Sequence, residues 1–334
     1  MVLREMGSGA TRRGFLGGLA TTGAALALPS ASRAATVTPP CTPKAPGIRT
    51  AGLAVTPDRR TVWTTDNAGT TITAHRGRKL ARRKSIDVGG APLDIAITPD
   101  GHFALVTTAF YDRPGLAVVR LHTGHVARVD VGPEPGSVAF ERQARVAWVA
   151  GGGSAGTLTG VDLKTGHAHA PIAIGNHPRG LALLPDGKHA LVALNGQSSV
   201  ALVTLATGHV RHIATRAFPQ GVAVSPDGKH AIVTHSGFGD HAITPIDLVR
   251  HRAHRPVNVG KEPIGGAYTR SGRNALVAVT GGHAVVVVNG RTGHRRRTIR
   301  RLDTPRAVAV AGRHAIVADG RTGQLKKIRL GAHA

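Results

Sequence analysis

The chain has 334 residues, of which 43 are Lys or Arg and 18 are Asp or Glu, so its formal net charge at pH 7 is +25. Hydrophobic residues make up 41% of the chain, which supports a packed interior and argues against a disordered protein. Cys41 is the single cysteine, and this excludes a disulfide framework, an iron–sulfur cluster, a thiolate zinc site and a Cys-x-x-Cys-His haem attachment. We expect no resident cofactor, and the preferred interpretation assigns no metal ligands.

Residues 1–34 have the pattern of an export signal. Arg12 and Arg13 precede an apolar run from Phe15 to Leu28, and small residues follow. The pattern resembles a twin-arginine signal cleaved before Ala35, and it predicts a secreted or periplasmic protein of the cell envelope. The run of about 14 residues is too short to span a bilayer comfortably, so no transmembrane span is expected after processing. The alternative is an uncleaved anchor at the membrane interface. Cleavage would leave a net charge of +22.

Residues 35–46 form a Pro-rich leader, and from residue 47 to residue 334 the chain repeats itself. The segments that precede each predicted hairpin recur 41 to 44 residues apart, at Thr50, Pro92, Pro135, Pro178, Pro219, Pro263 and Pro305. A period in the low forties is the length of one four-stranded propeller blade. The mature length accommodates seven such repeats.

Turn residues define the strands within each repeat. In the fifth repeat a short apolar run leads to Ser225-Pro226-Asp227-Gly228, and a second run follows at once, as in a tight hairpin. A turn such as Thr207-Gly208 joins the third strand to the fourth. The less typical turns at Glu141–Gln143, Arg270–Gly272 and Ala311-Gly312 predict looser first hairpins.

Four-stranded sheets of this size cannot bury both faces alone, so they must stack on one another, and closure into a ring protects their edges. We therefore predict an all-β fold, a seven-bladed β-propeller of four-stranded antiparallel blades. The last repeat is short. The ring must close with a three-stranded final blade or with an N-terminal strand at residues 36–38.

The segment Val224–His235, with the sequence VSPDGKHAIVTH, resembles the repeat of the YVTN/YncE-like seven-bladed propellers. The resemblance extends over residues 47–330. It departs from the family pattern where the second strand ends, because Val-Thr-His, Val-Thr-Thr, Val-Ala-Leu or Trp-Thr-Thr replaces the tetrapeptide that names the family. The resemblance implies a propeller fold and export. Members and close relatives include exported proteins, surface proteins and lactonase-like enzymes, and a shared propeller does not transfer an activity.

Propeller topology sorts the loops onto two faces. Both hairpin turns of a sheet lie on one face, and we predict that this face carries the excess cations. The predicted polyanion-binding residues are Arg76, Arg78, Lys79, Arg82, Arg83, Lys84, Arg250, Arg252, Arg255, Arg295, Arg296 and Arg297. A basic surface attracts polyanions through counterion release. The expected partners are anionic polymers, either a cell-wall polymer or nucleic acid bound without sequence specificity. The alternative is a basic surface that is merely well solvated.

The opposite face has a mixed rim, which predicts a small-molecule or peptide ligand at the upper mouth of the channel. His177, His235, Asp240, Glu262 and His283 are the candidate catalytic residues, as acid/base groups or as ligands of a divalent metal. They would make the protein a lactonase-like or metal-assisted hydrolase or lyase. Because histidine occurs 19 times, ordinary surface placement is the competing interpretation. A non-enzymatic binding scaffold is the preferred hypothesis.

Overall fold

The computed structural model describes residues 50–109, 114–141, 145–237 and 241–331. These residues form 28 β-strands and one short 3-10 helix, Gly153–Ala155. The strands belong to seven antiparallel sheets, here called blades 1 to 7 in chain order. The prediction of an all-β, seven-bladed propeller is confirmed.

Each blade runs from an innermost strand at the centre of the ring to an outermost strand at its circumference. In that order, blade 1 contains β1 Leu53–Val55, β2 Thr61–Thr65, β3 Thr71–Arg76 and β4 Ala81–Asp87; blade 2 contains β5 Ala91–Ile97, β6 Phe103–Ala109, β7 Gly115–Arg120 and β8 Val126–Val129; blade 3 contains β9 Ser137–Glu141, β10 Val146–Gly151, β11 Thr157–Asp162 and β12 Ile172–Ala173; blade 4 contains β13 Pro178–Leu183, β14 His189–Leu194, β15 Ser199–Thr204 and β16 His209–Ala214. Blade 5 contains β17 Pro219–Val224, β18 His230–His235, β19 Ala242–Asp247 and the pair β20 Arg252–Ala253 and β21 Val257–Asn258, both of which pair with β19; blade 6 contains β22 Pro263–Tyr268, β23 Asn274–Val279, β24 Ala284–Asn289 and β25 Arg295–Ile299; blade 7 contains β26 Pro305–Ala311, β27 His314–Asp319 and β28 Leu325–Arg329.

The innermost strands close the ring. Each of them contacts the innermost strand of the next blade, and β26 of blade 7 contacts β1 of blade 1. Blade 7 has three strands among the described residues. Residues 36–38, the alternative closing strand, lie outside the described part of the chain, as do residues 1–34 and the leader.

The predicted turn chemistry forms the first hairpin of blade 5. Gly228 takes a left-handed conformation with a φ of 70°, and its N–H donates to the Ser225 carbonyl at 2.9 Å. The Asp227 carboxylate accepts a bond from the Lys229 N–H at 3.0 Å. A short side-chain acceptor and a glycine therefore fix this turn, as expected.

The prediction of looser first hairpins is wrong for blades 6 and 7. In blade 3 the turn residues after Glu141 lie outside the described part of the chain. The Gly272 N–H donates to the Thr269 carbonyl at 2.9 Å, and Ser271 accepts the Arg273 N–H in place of an aspartate. In blade 7, Ala311 pairs directly with His314 across a two-residue turn. Serine substitutes for aspartate in this role because its hydroxyl can accept the same local bond.

Among the described residues the hydrophobic core is divided into six clusters, and each cluster lies between two consecutive blades. Between blades 4 and 5, for example, Leu191 and Val200 pack with Val233 and Ile246, and all four are fully buried. Burying one such side chain contributes roughly 1.5–3 kcal/mol. Stacking of blades, rather than any single sheet, therefore stabilises the fold.

The junction of blades 7 and 1 is polar where the described residues form it. A cavity of about 440 Å³ lies there, lined by Thr64, Thr73 and His75 of blade 1 and by Thr322 of blade 7, among others. Burial lowers the pKa of His75. Its Nδ1 lies 3.3 Å from the Leu80 carbonyl, which can only accept, so Nδ1 carries the proton and Nε2 accepts from Thr64.

Side-chain hydrogen bonds also join consecutive blades close to the channel. In each case a side chain donates to a carbonyl at the start of the next blade's innermost strand: Thr65 to Leu93, Thr107 to Gly136, Ser137 to Arg179, Asn195 to Pro219, Thr234 to Ile264 and Thr280 to Pro305. Thr234 also accepts the Gly221 N–H at 3.0 Å. The threonines near the end of the second strand therefore hold the ring together.

We expect Thr234→Val to destabilise the protein. Valine keeps the shape of threonine but leaves the Ile264 carbonyl and the Gly221 N–H without their partner, which costs about 1–3 kcal/mol. The midpoint of denaturant unfolding measures the change. Thr207→Val is the control, because Thr207 is exposed and its hydroxyl accepts one bond, from the His209 N–H. Equal midpoints for the two variants would contradict the role assigned to Thr234.

Candidate functional site

The twelve predicted polyanion-binding residues occupy two parts of the surface. Arg76, Arg78, Lys79 and Arg250 lie in or beside the turns that lead to the outermost strands, on the face where the sequence placed all twelve. The other eight lie on the outermost strands or their connections, at the circumference of the ring: Arg82, Arg83, Lys84, Arg252, Arg255, Arg295, Arg296 and Arg297. The cations thus cover an outer wall as well as one face.

The outer wall is most basic on three consecutive blades. Strand β25 of blade 6 begins with three exposed arginines, Arg295–Arg297, and β4 of blade 1 carries Arg82 and Arg83, which are also exposed. Between them lies blade 7, whose outermost described strand β28 exposes Lys326, Lys327 and Arg329. We call the exposed cations of β25, β28 and β4 the basic arc.

Lys326, Lys327 and Arg329 were not among the predicted residues. The last repeat is short, and its strand β28 has the sequence LKKIR. Three of these five residues are basic, and this signal was present in the sequence. Their place in the arc depends on ring closure, since closure brings the last blade beside the first.

Four of the predicted residues have side-chain contacts. The guanidinium groups of Arg82 and Arg295 donate to the hydroxyls of Thr73 and Thr298, at 3.2 and 3.1 Å. The Lys84 ammonium donates to the carbonyls of Leu121 and His122 in blade 2, at 3.0 and 2.9 Å, and burial lowers its pKa. Arg250 pairs with Asp247 at 3.0 Å. Lys84 is therefore tied to the neighbouring blade.

Asp247 fixes the turn that follows β19. Its carboxylate accepts the backbone N–H groups of Val249 and Arg250 and the Arg250 guanidinium, and these bonds, led by the Arg250 N–H, lower its pKa to about 2. Asp162 accepts the Lys164 and Thr165 N–H groups in the same way. Both aspartate side chains therefore stabilise the turns that follow them.

The low pKa of Asp247 makes stability depend on pH. The folded value lies below the ordinary value of 3.8, so the unfolded chain binds the proton first as the pH falls. The contribution of Asp247 is complete above about pH 4 and is lost towards about pH 2. We expect the denaturation midpoint to fall over this window, and to fall less steeply in Asp247→Asn. Parallel pH profiles for the two proteins would contradict this.

The candidate catalytic residues differ in their surroundings. His235 is fully buried, with Nδ1 3.0 Å from the Ala217 carbonyl and Nε2 2.8 Å from the Thr244 hydroxyl. A carbonyl can only accept, so Nδ1 carries a proton. His235 packs inside blade 5 instead of facing solvent at the rim.

His177 and His283 are exposed, in loops of blades 4 and 6, and Glu262 is half-buried where the chain enters blade 6. Glu262 and His283 lie at the same end of blade 6, since the Thr280 N–H donates to the Glu262 carbonyl and the His283 N–H donates to the Thr280 carbonyl. No hydrogen bond joins the Glu262 and His283 side chains. Asp240 lies outside the described residues.

Glu262 and His283, the two described candidates at one end of blade 6, therefore form no hydrogen-bonded acid/base pair. Throughout the described part of the chain, no three side chains of His, Cys, Asp or Glu come together in a group that could hold a metal ion.

A cavity of about 310 Å³ occupies the central channel, and the beginnings of all seven innermost strands line it. Several of these strands have a register shift just after the proline that begins the repeat, including those at Pro178, Pro219 and Pro305. Such bulges re-aim side chains. The polar side chains of the lining include Asp94, Arg179, Gln220 and Arg306. The sequence placed Arg179 and Arg306 on the mixed rim but among neither the catalytic nor the polyanion-binding candidates.

Asp94 is part of the channel wall, and backbone N–H groups of blades 2 and 3 hold its carboxylate in place. Its carboxylate accepts the Ile95 N–H at 2.9 Å and the Val138 N–H at 3.1 Å. Burial raises its pKa, although these hydrogen bonds oppose the change. The carboxylate thus serves to link blade 2 to blade 3.

The fold defines the protein as a seven-bladed β-propeller. No family model matches the chain, and no curated protein matches it. Among solved structures, 1622 chains match. One of them, "Kuenenia stuttgartiensis Hydrazine Synthase", has a TM-score of 0.78 and 21% sequence identity, over 87% of this chain and 98% of that chain. At this identity the likeness shows the fold alone.

Between residues 50 and 331, the three undescribed gaps aside, no helix is long and apolar enough to cross a membrane.

Proposed function

We propose that the protein is an exported, YncE-like propeller that acts as a non-enzymatic binding scaffold for anionic polymers. The basic arc on blades 6, 7 and 1 is the observation that supports this. Its strands β25 and β28 contain no acidic residue, so their cations are not neutralised within the strand. The rigid ring presents them in a fixed order along one side.

The polymer would be a phosphate-bearing wall polymer or nucleic acid, bound through its backbone. Arginine is suited to phosphate because its planar guanidinium donates two parallel hydrogen bonds. The described residues include no α-helix that could read a DNA groove, and aromatic residues are only 3% of the chain. Base stacking and groove reading therefore contribute little, and sequence-independent binding follows.

The test is retention of the purified full chain on heparin and on immobilised duplex DNA. We expect retention at near-physiological salt and equal affinity for DNA duplexes of unrelated sequence. The affinity should fall as salt rises, with log K decreasing by about 0.9 for each phosphate neutralised. Elution from both matrices before physiological salt is reached would reject the proposal.

Export by the twin-arginine route is the second part of the proposal, and Arg12 and Arg13 support it. We expect the exported protein to begin at Ala35. Replacement of both arginines by lysine should leave the precursor inside the cell, because the pathway reads the arginine pair. Mass spectrometry of the exported fraction measures both results. An exported double variant that begins at Ala35 would contradict this route.

A further inference from the structure

The central channel is separate from the basic arc and has its own polar chemistry. It lies at the inner ends of the blades, whereas the arc lies on their outermost strands. The cavity of about 310 Å³ falls within the range of small-molecule sites, which measure roughly 300–1,000 Å³. It is too small for a folded polymer segment.

Two arginines in opposite parts of the ring belong to the lining of this cavity. Arg179 follows Pro178 in blade 4, and Arg306 follows Pro305 in blade 7, so the two hold the same position in their repeats. Arg179 is exposed, and no carboxylate of the described residues forms an ion pair with it. Arg306 is half-buried, with its aliphatic stem against Gly320.

The other residues that line the cavity indicate which class of ligand it can bind. Gln220 adds an amide that can donate and accept. Asp94, the one lining carboxylate among the described residues, is already bound to two backbone N–H groups. No described lining residue is aromatic, so the cavity has no surface on which a nucleobase could stack.

We infer that the channel binds a small, non-aromatic molecule that carries a carboxylate or phosphate group, held by the guanidinium groups of Arg179 and Arg306. Each guanidinium offers a fork of donors that matches such an oxyanion. Gln220 donates to a further oxygen of the ligand. This site is independent of polymer binding at the arc.

Isothermal titration of the full chain with inorganic phosphate and, separately, with citrate tests the inference. We expect one saturable site per chain for at least one probe, and the two arms distinguish phosphate from carboxylate. Arg179→Gln should weaken binding at least about tenfold, since it removes a charge-assisted bidentate contact. Arg306→Gln should do the same and serves as the second variant.

Arg296→Gln is the matched control, because it removes one positive charge from the arc and leaves the channel unchanged. We expect less than about a twofold effect on citrate or phosphate binding. No saturable binding at up to about 10 mM probe, or equal losses in Arg179→Gln and Arg296→Gln, would overturn the inference. Retention on heparin should be unchanged in Arg179→Gln. The titration therefore tests the channel, heparin retention tests the arc, and either proposal can fail without the other.

Discussion

The triple variant Arg295→Gln/Arg296→Gln/Arg297→Gln should lose most of its affinity for duplex DNA at low salt. These side chains are all exposed and begin β25, at one end of the basic arc. If each contacts one phosphate, the slope of log K against log salt becomes shallower by about 3. At roughly 50 mM salt that change corresponds to a loss of about 3,000-fold, if the two proteins bind equally at about 1 M salt. Titration at four or more salt concentrations measures both quantities.

The control removes the same net charge from the other side of the ring. Arg145, Lys164 and Arg211 are exposed on blades 3 and 4. The Gln variant of all three should keep nearly the full slope, because screening confines each charge to about 10 Å at 0.1 M salt. If the slope of log K against log salt becomes shallower by the same amount in both triple variants, binding depends on net charge alone, and the arc has no special role.

The repeat and its turns could be predicted because they depend on local chemistry. Pro178, Pro219, Pro263 and Pro305 each begin an innermost strand, as the spacing indicated. Proline and glycine act through their own backbone preferences, so their positions can be interpreted without knowing what packs against them. Blade number and strand order follow from these positions.

The arrangement of the site could not be predicted in the same way. The buried environment of His235 depends on Ala217 and Thr244, which are distant in sequence from its own Val-Thr-His motif. The channel lining depends on bulges in the innermost strands, and Arg179 has no local signature that distinguishes it from a surface arginine. The basic arc depends on ring closure. The environment of His235 is a property of how the strands of blade 5 pack, and the channel lining and the basic arc are properties of how blades meet.

The innermost strands approach one another so closely that one position in blade 5 requires glycine. A Cβ atom on Gly221 would lie 2.4 Å from the Ile264 carbonyl oxygen of blade 6 and 2.9 Å from the Thr234 hydroxyl. The first of these atoms belongs to backbone, which cannot move aside as a flexible side chain can. Blade 7 has Ala307 two residues after its proline, as Gly221 is in blade 5, so the constraint depends on the local distance between blades.

We therefore expect Gly221→Ala to destabilise the protein by about 3 kcal/mol, the upper part of the range for overpacking. The strain also displaces Thr234 from the Ile264 carbonyl, so the effect should exceed that of Thr234→Val. Gly69→Ala is the matched control, because its Cβ would meet only the Asp66 carboxylate at 3.3 Å, and we expect a change within about 0.5 kcal/mol. The midpoints of denaturant unfolding of Gly221→Ala, Thr234→Val and Gly69→Ala measure the order of their stabilities. A Gly221→Ala protein as stable as the Gly69→Ala control would mean that β17 and β22 lie farther apart than the structure places them.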